Sequence, residues 1–230
     1  MTILFDNYSH DSACKFFWGF SAYLEAHQLL FDTGSNGRVL LSNMKQLGID
    51  VKDIKYMFIS HADWDHIGGI DSILELNSDI TIFVPSSLSK NLIHDLKSLT
   101  KSVVIIGQTS KNLFGNIYTT GVLGKETPEQ SLIINDAYPK VIIGCGHYGI
   151  ENIVKVSKEI IDKDIKYALG GFHLLDTDDK SILSMIKALK GLGLEKVMPT
   201  HCTGDRAIVL FREYFKELCV DAGVGRCAGY

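Results

Sequence analysis

The sequence lacks any C-x-x-C pair, although it contains five cysteines. An odd number of thiols without paired spacing argues against a disulfide framework and against a closed zinc knuckle. Reduced thiols in a cytosolic compartment fit this pattern best. Cys145 and Cys202 lie two residues before and one residue after histidines that we consider below as metal ligands. Either cysteine could itself be a ligand, but small buried packing residues are the favoured interpretation.

An apolar run long enough to span a bilayer, about 18 residues, is also absent. Residues 1–12 have no basic start of the kind that begins a secretory signal. These two absences predict a cytoplasmic protein with no membrane contact. Positive charge is not in excess either, since the net charge is −4 at pH 7. Nucleic-acid binders usually carry a basic face, so we expect a small-molecule substrate, phosphorylated or not, rather than nucleic acid.

No proline-rich, serine-rich or charged linker divides the 230 residues of the chain. This continuity predicts a single domain over residues 1–230. Hydrophobic residues make up 46% of the chain and charged residues 22%, which is enough for a large core with an ordinary surface. Strand-like and helix-like patterns alternate along the chain, and this alternation indicates a fold of the α/β class.

The densest group of polar side chains stands at residues 59–69, with the sequence ISHADWDHIGG. It follows an apolar run that predicts a buried strand, and a glycine pair after it opens an apolar helix. Within six positions it offers four side chains that can bind a metal: His61, Asp63, Asp65 and His66. Imidazole nitrogens and carboxylate oxygens are ligands that zinc, manganese and iron accept. We therefore interpret this stretch as a metal-binding loop, not as a polar turn with incidental histidines.

Three further histidines follow apolar runs in the second half of the chain. His147 ends the sequence GCGH, His173 lies in GGFHL, and His201 lies in PTHCTG. Folds of the α/β class present functional groups on loops at the ends of strands. A single histidine of this kind is as consistent with a core position as with a metal ligand. Together with the first loop, His147 and His201 are predicted to be ligands.

The first loop resembles the signature of the metallo-β-lactamase superfamily of hydrolases, which is H-x-H-x-D-H followed by glycine. Asp63 stands where the second histidine of that signature is usual, and a carboxylate there favours iron or manganese relative to zinc. The later motifs GCGH, GGFHL and PTHCTG, with EQSL at residues 129–132, narrow the resemblance. They are similar to the group that contains the archaeal dihydropterin ribofuranosylaminobenzene phosphate synthase. The similarity extends from about Phe20 to about Arg206.

The resemblance implies an αββα four-layer sandwich, with two mixed sheets flanked by helices. It also implies two divalent metal ions, zinc in the first place and iron or manganese as alternatives. The implied ligands are His61, Asp63 and His147 for one metal and Asp65, His66 and His201 for the other. The superfamily often has a bridging aspartate at the stage of the chain where the strand-like run at residues 166–169 ends. No aspartate stands at that strand end, and Asp176, which lies further on, is a poor substitute. The occupancy of the second metal is therefore open, and His173 could face the metals in place of that aspartate.

Further roles are implied by the same resemblance. Asp32, in the sequence FDTG, would hydrogen-bond a ligand histidine from behind and fix its tautomer. Asp65 and His173 are the predicted catalytic residues: Asp65 would orient the attacking water, and His173 would assist the leaving group.

The segment after His201 is predicted to bind substrate. Thr203 and Gly204 open a helix whose free N–H groups suit an anion such as phosphate, and Arg206 could add positive charge. The alternative for Arg206 is a surface ion pair with Asp205.

Three functions remain open from the sequence. The first is a metal-dependent hydrolase that uses a dinuclear His/Asp site to activate water against an ester, a lactone or a phosphoester. The second is a transferase that joins a pterin methyl group to an arylamine ribose phosphate. The third is an iron redox or sensor protein. A nucleic-acid-processing variant of the first is disfavoured by the negative net charge.

Overall fold

The computed structural model describes residues 1–227. The chain forms two compact units. The first consists of Met1–Gly107 together with the segment that starts at Ala222, and the second is Gln108–Asp221. The expectation of a single domain over residues 1–230 stays a prediction.

The first unit is built on a six-stranded sheet with the strand order β1-β2-β3-β4-β5-β6. Its strands are β1 (Thr2–Phe5), β2 (Ser21–Leu24), β3 (Leu29–Phe31), β4 (Tyr56–Phe58), β5 (Thr81–Pro85) and β6 (Ser102–Ile106). Strands β1 to β3 pair antiparallel and β3 to β6 pair parallel, so the sheet is mixed. The helices of this unit are α1 (Gly37–Gln46), α2 (Trp64–Ile67), α3 (Ile70–Leu74) and α4 (Lys90–Leu99).

Strands β2 to β5 of this sheet are buried on both faces, which explains their continuous apolar runs, whereas the edge strand β6 is partly exposed. Successive side chains of a strand point to opposite faces. Met57 therefore packs in a core with Leu40 of α1 and Ile73 of α3. On the other face Phe58 stacks on Phe31, with the ring centroids 5.4 Å apart.

Capping side chains fix where the longer helices begin. The Asn36 side chain accepts hydrogen bonds from the N–H groups of Arg38 and Val39 at the start of α1. Helix α4 begins at Lys90 because the Ser89 side chain accepts the N–H of Leu92. The sequence pattern alone places the start of α4 at residues 85–86, which is wrong by one helical turn.

The second unit contains a six-stranded sheet with the order β12-β11-β10-β9-β8-β7. Its strands are β7 (Lys111–Phe114), β8 (Ile117–Thr119), β9 (Leu132–Ile134), β10 (Lys140–Ile143), β11 (Tyr167–Gly171) and β12 (Lys196–Thr200). Strands β10 to β12 are parallel and the remaining pairs are antiparallel. The helices α5 (Ile150–Ile161), α6 (Asp179–Gly191) and α7 (Asp205–Phe215) pack against this sheet through a core that includes Ile143, Ile153, Ile186 and Phe211.

The expected α/β class with two mixed sheets flanked by helices is confirmed. The parallel strands decide where polar loops meet, because the carboxyl ends of neighbouring parallel strands lie at one edge of a sheet. In the first unit, β3 and β4 lead into Asp32 and His61. In the second, β10, β11 and β12 lead into the segments that carry His147, His173 and His201. Among residues 1–227, no helix combines the length and the apolar character needed to cross a membrane.

We expect Asn36→Ala to lower the free energy of unfolding by about 1 kcal/mol, because two N–H groups of α1 lose their acceptor. Urea unfolding followed by circular dichroism measures this change. Asn91→Ala, on the exposed surface of α4, is the matched control and should cost nothing. Equal losses in the two variants would contradict the capping role.

Candidate metal centre

The four predicted ligands of the first loop lie together at the end of β4. His61 and His66 are fully buried, Asp65 is buried, and the Asp63 side chain is half exposed. The ring centroids of His61 and His66 are 4.1 Å apart. His61 Nε2 lies 3.4 Å from Asp63 Oδ2, and His66 Nε2 lies 3.8 Å from Asp65 Oδ2. The short helix α2 produces this grouping because it turns Asp65 and His66 back toward His61.

Asp32 is fully buried behind this loop, and its carboxylate accepts hydrogen bonds from Ser60 and His66. Its Oδ1 accepts the N–H of Ser60 at 2.7 Å, and its Oδ2 accepts the Ser60 hydroxyl at 2.6 Å. The same Oδ2 lies 2.7 Å from His66 Nδ1. An ionised carboxylate can only accept, so His66 donates its Nδ1 proton to Asp32 and turns Nε2 away from that carboxylate.

Ser60 extends this network, since its hydroxyl lies 2.8 Å from His61 Nδ1. Ser60 was not predicted as part of the site, because a small polar residue at a strand end carries no distinctive signal.

Glu129 performs the corresponding task in the second unit and was noted in the sequence only as part of EQSL. Its carboxylate is 2% exposed. Oε1 accepts the N–H groups of Cys145 at 2.8 Å and Gly146 at 3.1 Å. Oε2 accepts the N–H groups of Gly146 at 2.9 Å and His147 at 3.0 Å, and it lies 3.0 Å from His147 Nδ1. The carboxylate therefore fixes the backbone of the GCGH loop and holds Nδ1 of His147, so that Nε2 points away from Glu129.

His201 lies directly after β12, beside two buried cysteines. Its Nε2 is 3.3 Å from Cys145 Sγ, and Cys202 Sγ lies 3.3 Å from the carbonyl oxygen of Cys145. Donor atoms of Cys145, His201 and Cys202 all fall within 4.8 Å of one another, so this group could hold a metal ion. The hydrogen bond with Cys145 lowers the pKa of the Cys202 thiol to about 6, against the opposing effect of burial.

His173 is exposed beside His147, with the two ring centroids 4.4 Å apart. Both rings line a cleft of ≈ 470 Å³ whose other walls come from the neighbouring loop and from Tyr148. The loop residues that line it are Gly124, Lys125, Glu126 and Thr127. The cleft gives His173 direct access to a small molecule.

The predicted substrate-binding residues of the PTHCTG segment already have partners inside the protein. Thr203 is buried, and its hydroxyl accepts the N–H of Phe172 at 3.0 Å and donates to the carbonyl of Thr200 at 2.6 Å. Gly204 has a φ of 82°, in a region that favours glycine. The Arg206 guanidinium pairs with Asp179 at 2.9 Å, not with Asp205, and holds the pKa of the Asp179 carboxyl below its usual value. Their contribution to substrate binding stays a prediction.

Three candidate site residues hold strained backbone conformations. Asp32, His173 and His201 have φ values of 49°, 50° and 52°, although none is a glycine. A non-glycine residue in the left-handed region costs of order 1–3 kcal/mol and persists where its surroundings over-determine it. The same conformation occurs at the ends of helices in Gln28, Asp162 and Lys216. The strain therefore supports the site only together with the contacts described above.

Comparison with known proteins agrees with this geometry. Residues 24–108 match the family model described as the metallo-β-lactamase superfamily. An archaeal enzyme from Methanocaldococcus jannaschii is 33% identical to this chain over 83% of the chain and 80% of its own length. The chain therefore belongs to the metallo-β-lactamase superfamily.

That archaeal relative is a 7,8-dihydropterin-6-methyl-4-(β-D-ribofuranosyl)-aminobenzene-5'-phosphate synthase. A solved structure described as a metal-dependent hydrolase of the β-lactamase superfamily is 28% identical. It covers 98% of this chain and 96% of its own, with a TM-score of 0.81. Human tRNase Z, short form, shares the fold at a TM-score of 0.63 with 15% identity, over 98% of this chain and 96% of its own.

We predict that Asp32→Asn weakens zinc binding roughly 10- to 100-fold, as is typical when the partner of a ligand histidine is lost. The asparagine amide would place an N–H group against Ser60 or His66, which now donate to a carboxylate oxygen. The free energy of unfolding should therefore also fall by about 1–3 kcal/mol. Competition with a chromophoric chelator measures the affinity. Asp71→Asn, on the exposed side of α3, serves as control. Unchanged zinc affinity in Asp32→Asn would contradict the role.

For Glu129→Gln we expect a similar 10- to 100-fold loss of zinc affinity, together with a change in the metal-free protein. Nitrogen-15 NMR should show His147 protonated on Nδ1 in the wild type and as a mixture of tautomers in the variant. Glu159→Gln, exposed on α5, should leave both measurements unchanged. A variant with the wild-type tautomer and affinity would rule out this function of Glu129.

Proposed function

We propose that this protein is a metal-dependent hydrolase of small molecules. In this proposal His61, Asp63 and His147 hold one divalent ion, and Asp65, His66 and His201 hold a second. Asp32 and Glu129 hold the ligand histidines in place, and His173 acts on the leaving group.

The observation that carries the proposal is the pairing of two candidate ligands with buried carboxylates. His66 Nδ1 is 2.7 Å from Asp32, and His147 Nδ1 is 3.0 Å from Glu129. A carboxylate that holds one ring nitrogen while the other stays bare is the usual support of a metal-bound histidine. A histidine that served only in packing would not need a fully buried charge behind it, because an uncompensated buried carboxylate is costly. The donor set of each unit therefore fits a divalent cation.

Divalent ions at such a site supply positive charge that polarises the scissile bond and lowers the pKa of a water molecule to roughly 7. The mixture of imidazole and carboxylate donors suits zinc, with iron or manganese as alternatives because of Asp63. The two carboxylates of the loop differ in environment: Asp63 is half exposed, whereas Asp65 is buried.

The remaining steps are assigned to residues of this chain. Asp65 is the acceptor that orients the attacking water, since its buried carboxylate faces His66 Nε2 at 3.8 Å. His173 is exposed over the cleft and donates a proton to the leaving group. Lys125 and Thr127 line the same cleft and would contact polar or anionic parts of the substrate. An ester, a lactone or a phosphoester of small size fits this arrangement.

A second candidate, supported by the 33% identity to the archaeal synthase, is the transfer of a pterin methyl carbon to an arylamine ribose phosphate. The same cleft would then bind an anionic substrate, and His173 would again assist a departing group. The proposed hydrolase takes its support from the 28% identity and the close structural match to a metal-dependent hydrolase.

Metal content tests the site. We predict that protein purified without added metal contains a divalent metal, and that His61→Ala and His201→Ala each lose a large part of it together with most activity. The replaced imidazoles are ligands in the proposal, and a lost ligand weakens binding. His94→Ala, exposed on α4, is the control. Elemental analysis showing equal metal in all four proteins would refute the assignment.

Product analysis separates the two reactions. The metal-loaded protein should hydrolyse bis(p-nitrophenyl) phosphate or a simple lactone, and His173→Ala should lower kcat by about 10²–10⁴-fold, the usual contribution of a general acid. The parallel arm supplies a reduced pterin diphosphate with the arylamine ribose phosphate, and mass spectrometry follows the products. A coupled product in that arm, without hydrolysis in the first, would replace the hydrolase by the transferase.

A further inference from the structure

Cys145 has surroundings that packing alone does not explain. It lies in the GCGH loop after β10, and its side chain is 5% exposed. Its sulfur faces His201 Nε2 at 3.3 Å. Nε2 is the ring atom through which His201 would bind a metal. A small buried hydrophobe would be expected to meet apolar atoms instead.

The distance between these two atoms suits a shared ion. Zinc binds a thiolate sulfur at about 2.3 Å and an imidazole nitrogen at about 2.0–2.1 Å, which in a tetrahedron separates the two donors by about 3.5 Å. The observed 3.3 Å is close to that value. The backbone N–H of Cys145 is also held by Glu129 at 2.8 Å, so the loop that carries the sulfur is fixed.

Strand β11 cannot supply the carboxylate that superfamily members often place near its end. A Cβ atom at Gly171 would lie 2.7 Å from Cys202 Sγ and against the carbonyl oxygen of Gly144. The next side chain, Phe172, is buried against Phe211, with the ring centroids 5.4 Å apart. No acidic side chain can therefore enter from residues 171 and 172, and a second metal would lack one anionic ligand.

We propose that Cys145 is a thiolate ligand of the same divalent ion as His201 and takes the place of that carboxylate. The inference rests on the proposed function, because it assumes that the ion is bound. The sulfur–metal bond forms as the S–H bond breaks, and the proton passes to solvent without any oxidation. A thiolate is a soft ligand, so the ion at His201 is zinc by preference, whereas the ion at Asp63 has harder donors.

Cys202 is the competing thiol and is disfavoured by its contacts. Its sulfur lies against the carbonyl oxygen of Cys145 at 3.3 Å. That sulfur is therefore engaged by a backbone carbonyl, whereas the sulfur of Cys145 faces the imidazole nitrogen of His201. Cys14 belongs to the first unit and supplies a buried thiol unrelated to this group.

Cobalt substitution tests the proposal without any activity assay. The full-length protein is freed of metal with a chelator, loaded with Co²⁺, and its absorption spectrum is recorded. We expect a near-ultraviolet sulfur-to-cobalt charge-transfer band in the wild type, in Cys202→Ser and in Cys14→Ser. The band should be lost in Cys145→Ser, while circular dichroism shows that the variant is folded. Zinc binding should also release one proton fewer from Cys145→Ser than from the wild type.

The other outcomes of this experiment contradict either the thiolate ligand, the choice of Cys145, or the metal centre itself. Cobalt bound by the wild type without the charge-transfer band would reject thiolate ligation but leave the metal centre intact. Loss of the band in Cys202→Ser, and not in Cys145→Ser, would show that Cys202 is the ligand and would overturn the proposal. Failure of the wild type to bind cobalt or zinc at all would remove the proposed function together with this inference. If Cys145→Ser does not fold, the wild type and Cys202→Ser decide the question: a band present in both supports Cys145, and a band lost in Cys202→Ser overturns the proposal.

Discussion

A buried carboxylate held against an imidazole is the interaction on which the candidate site depends. It occurs in both units: Asp32 with His66, and Glu129 with His147. A buried charge is tolerated only when its oxygens are satisfied. Asp32 accepts from Ser60 as well as from His66, and Glu129 accepts from three successive N–H groups. These hydrogen bonds order the loops that carry His66 and His147, and they fix the tautomers of both rings without any contribution from a metal ion.

The sheets provide the rigidity that this arrangement requires. Asp32, His173 and His201 all follow directly, or within two residues, the ends of parallel strands, and all three have left-handed backbones. Strain of order 1–3 kcal/mol at each position must be offset by the packing of the strands behind it. Those strands are buried on both faces and packed by helices. The stability of the sheets therefore maintains the geometry of the loops.

Membership of the metallo-β-lactamase superfamily defines the fold and leaves the reaction to the site, because one fold hosts many chemistries. The donors of this chain differ from the usual signature in two places. Asp63 replaces an imidazole by a carboxylate, and β11 offers no acidic side chain at residues 171 and 172. In our proposals the carboxylate of Asp63 gives one ion site a harder ligand, and the thiolate of Cys145 gives the other ion site a softer ligand. Two ion sites of different preference would follow.

The sequence by itself determined the α/β class, most strands and helices, and the residue types that can bind a metal. These features depend on local patterns: apolar runs, turn residues and the density of histidine and aspartate between residues 61 and 66. The sequence pattern starts α4 at Pro85 and Ser86, whereas the helix begins at Lys90 because the Ser89 side chain caps it there. Only the tertiary structure showed that Glu129 holds His147 and that the sulfur of Cys145 faces His201, because those partners are 18 and 56 residues apart. Contacts at such separations are set by strand register and by the loops at one sheet edge, and no local pattern encodes them.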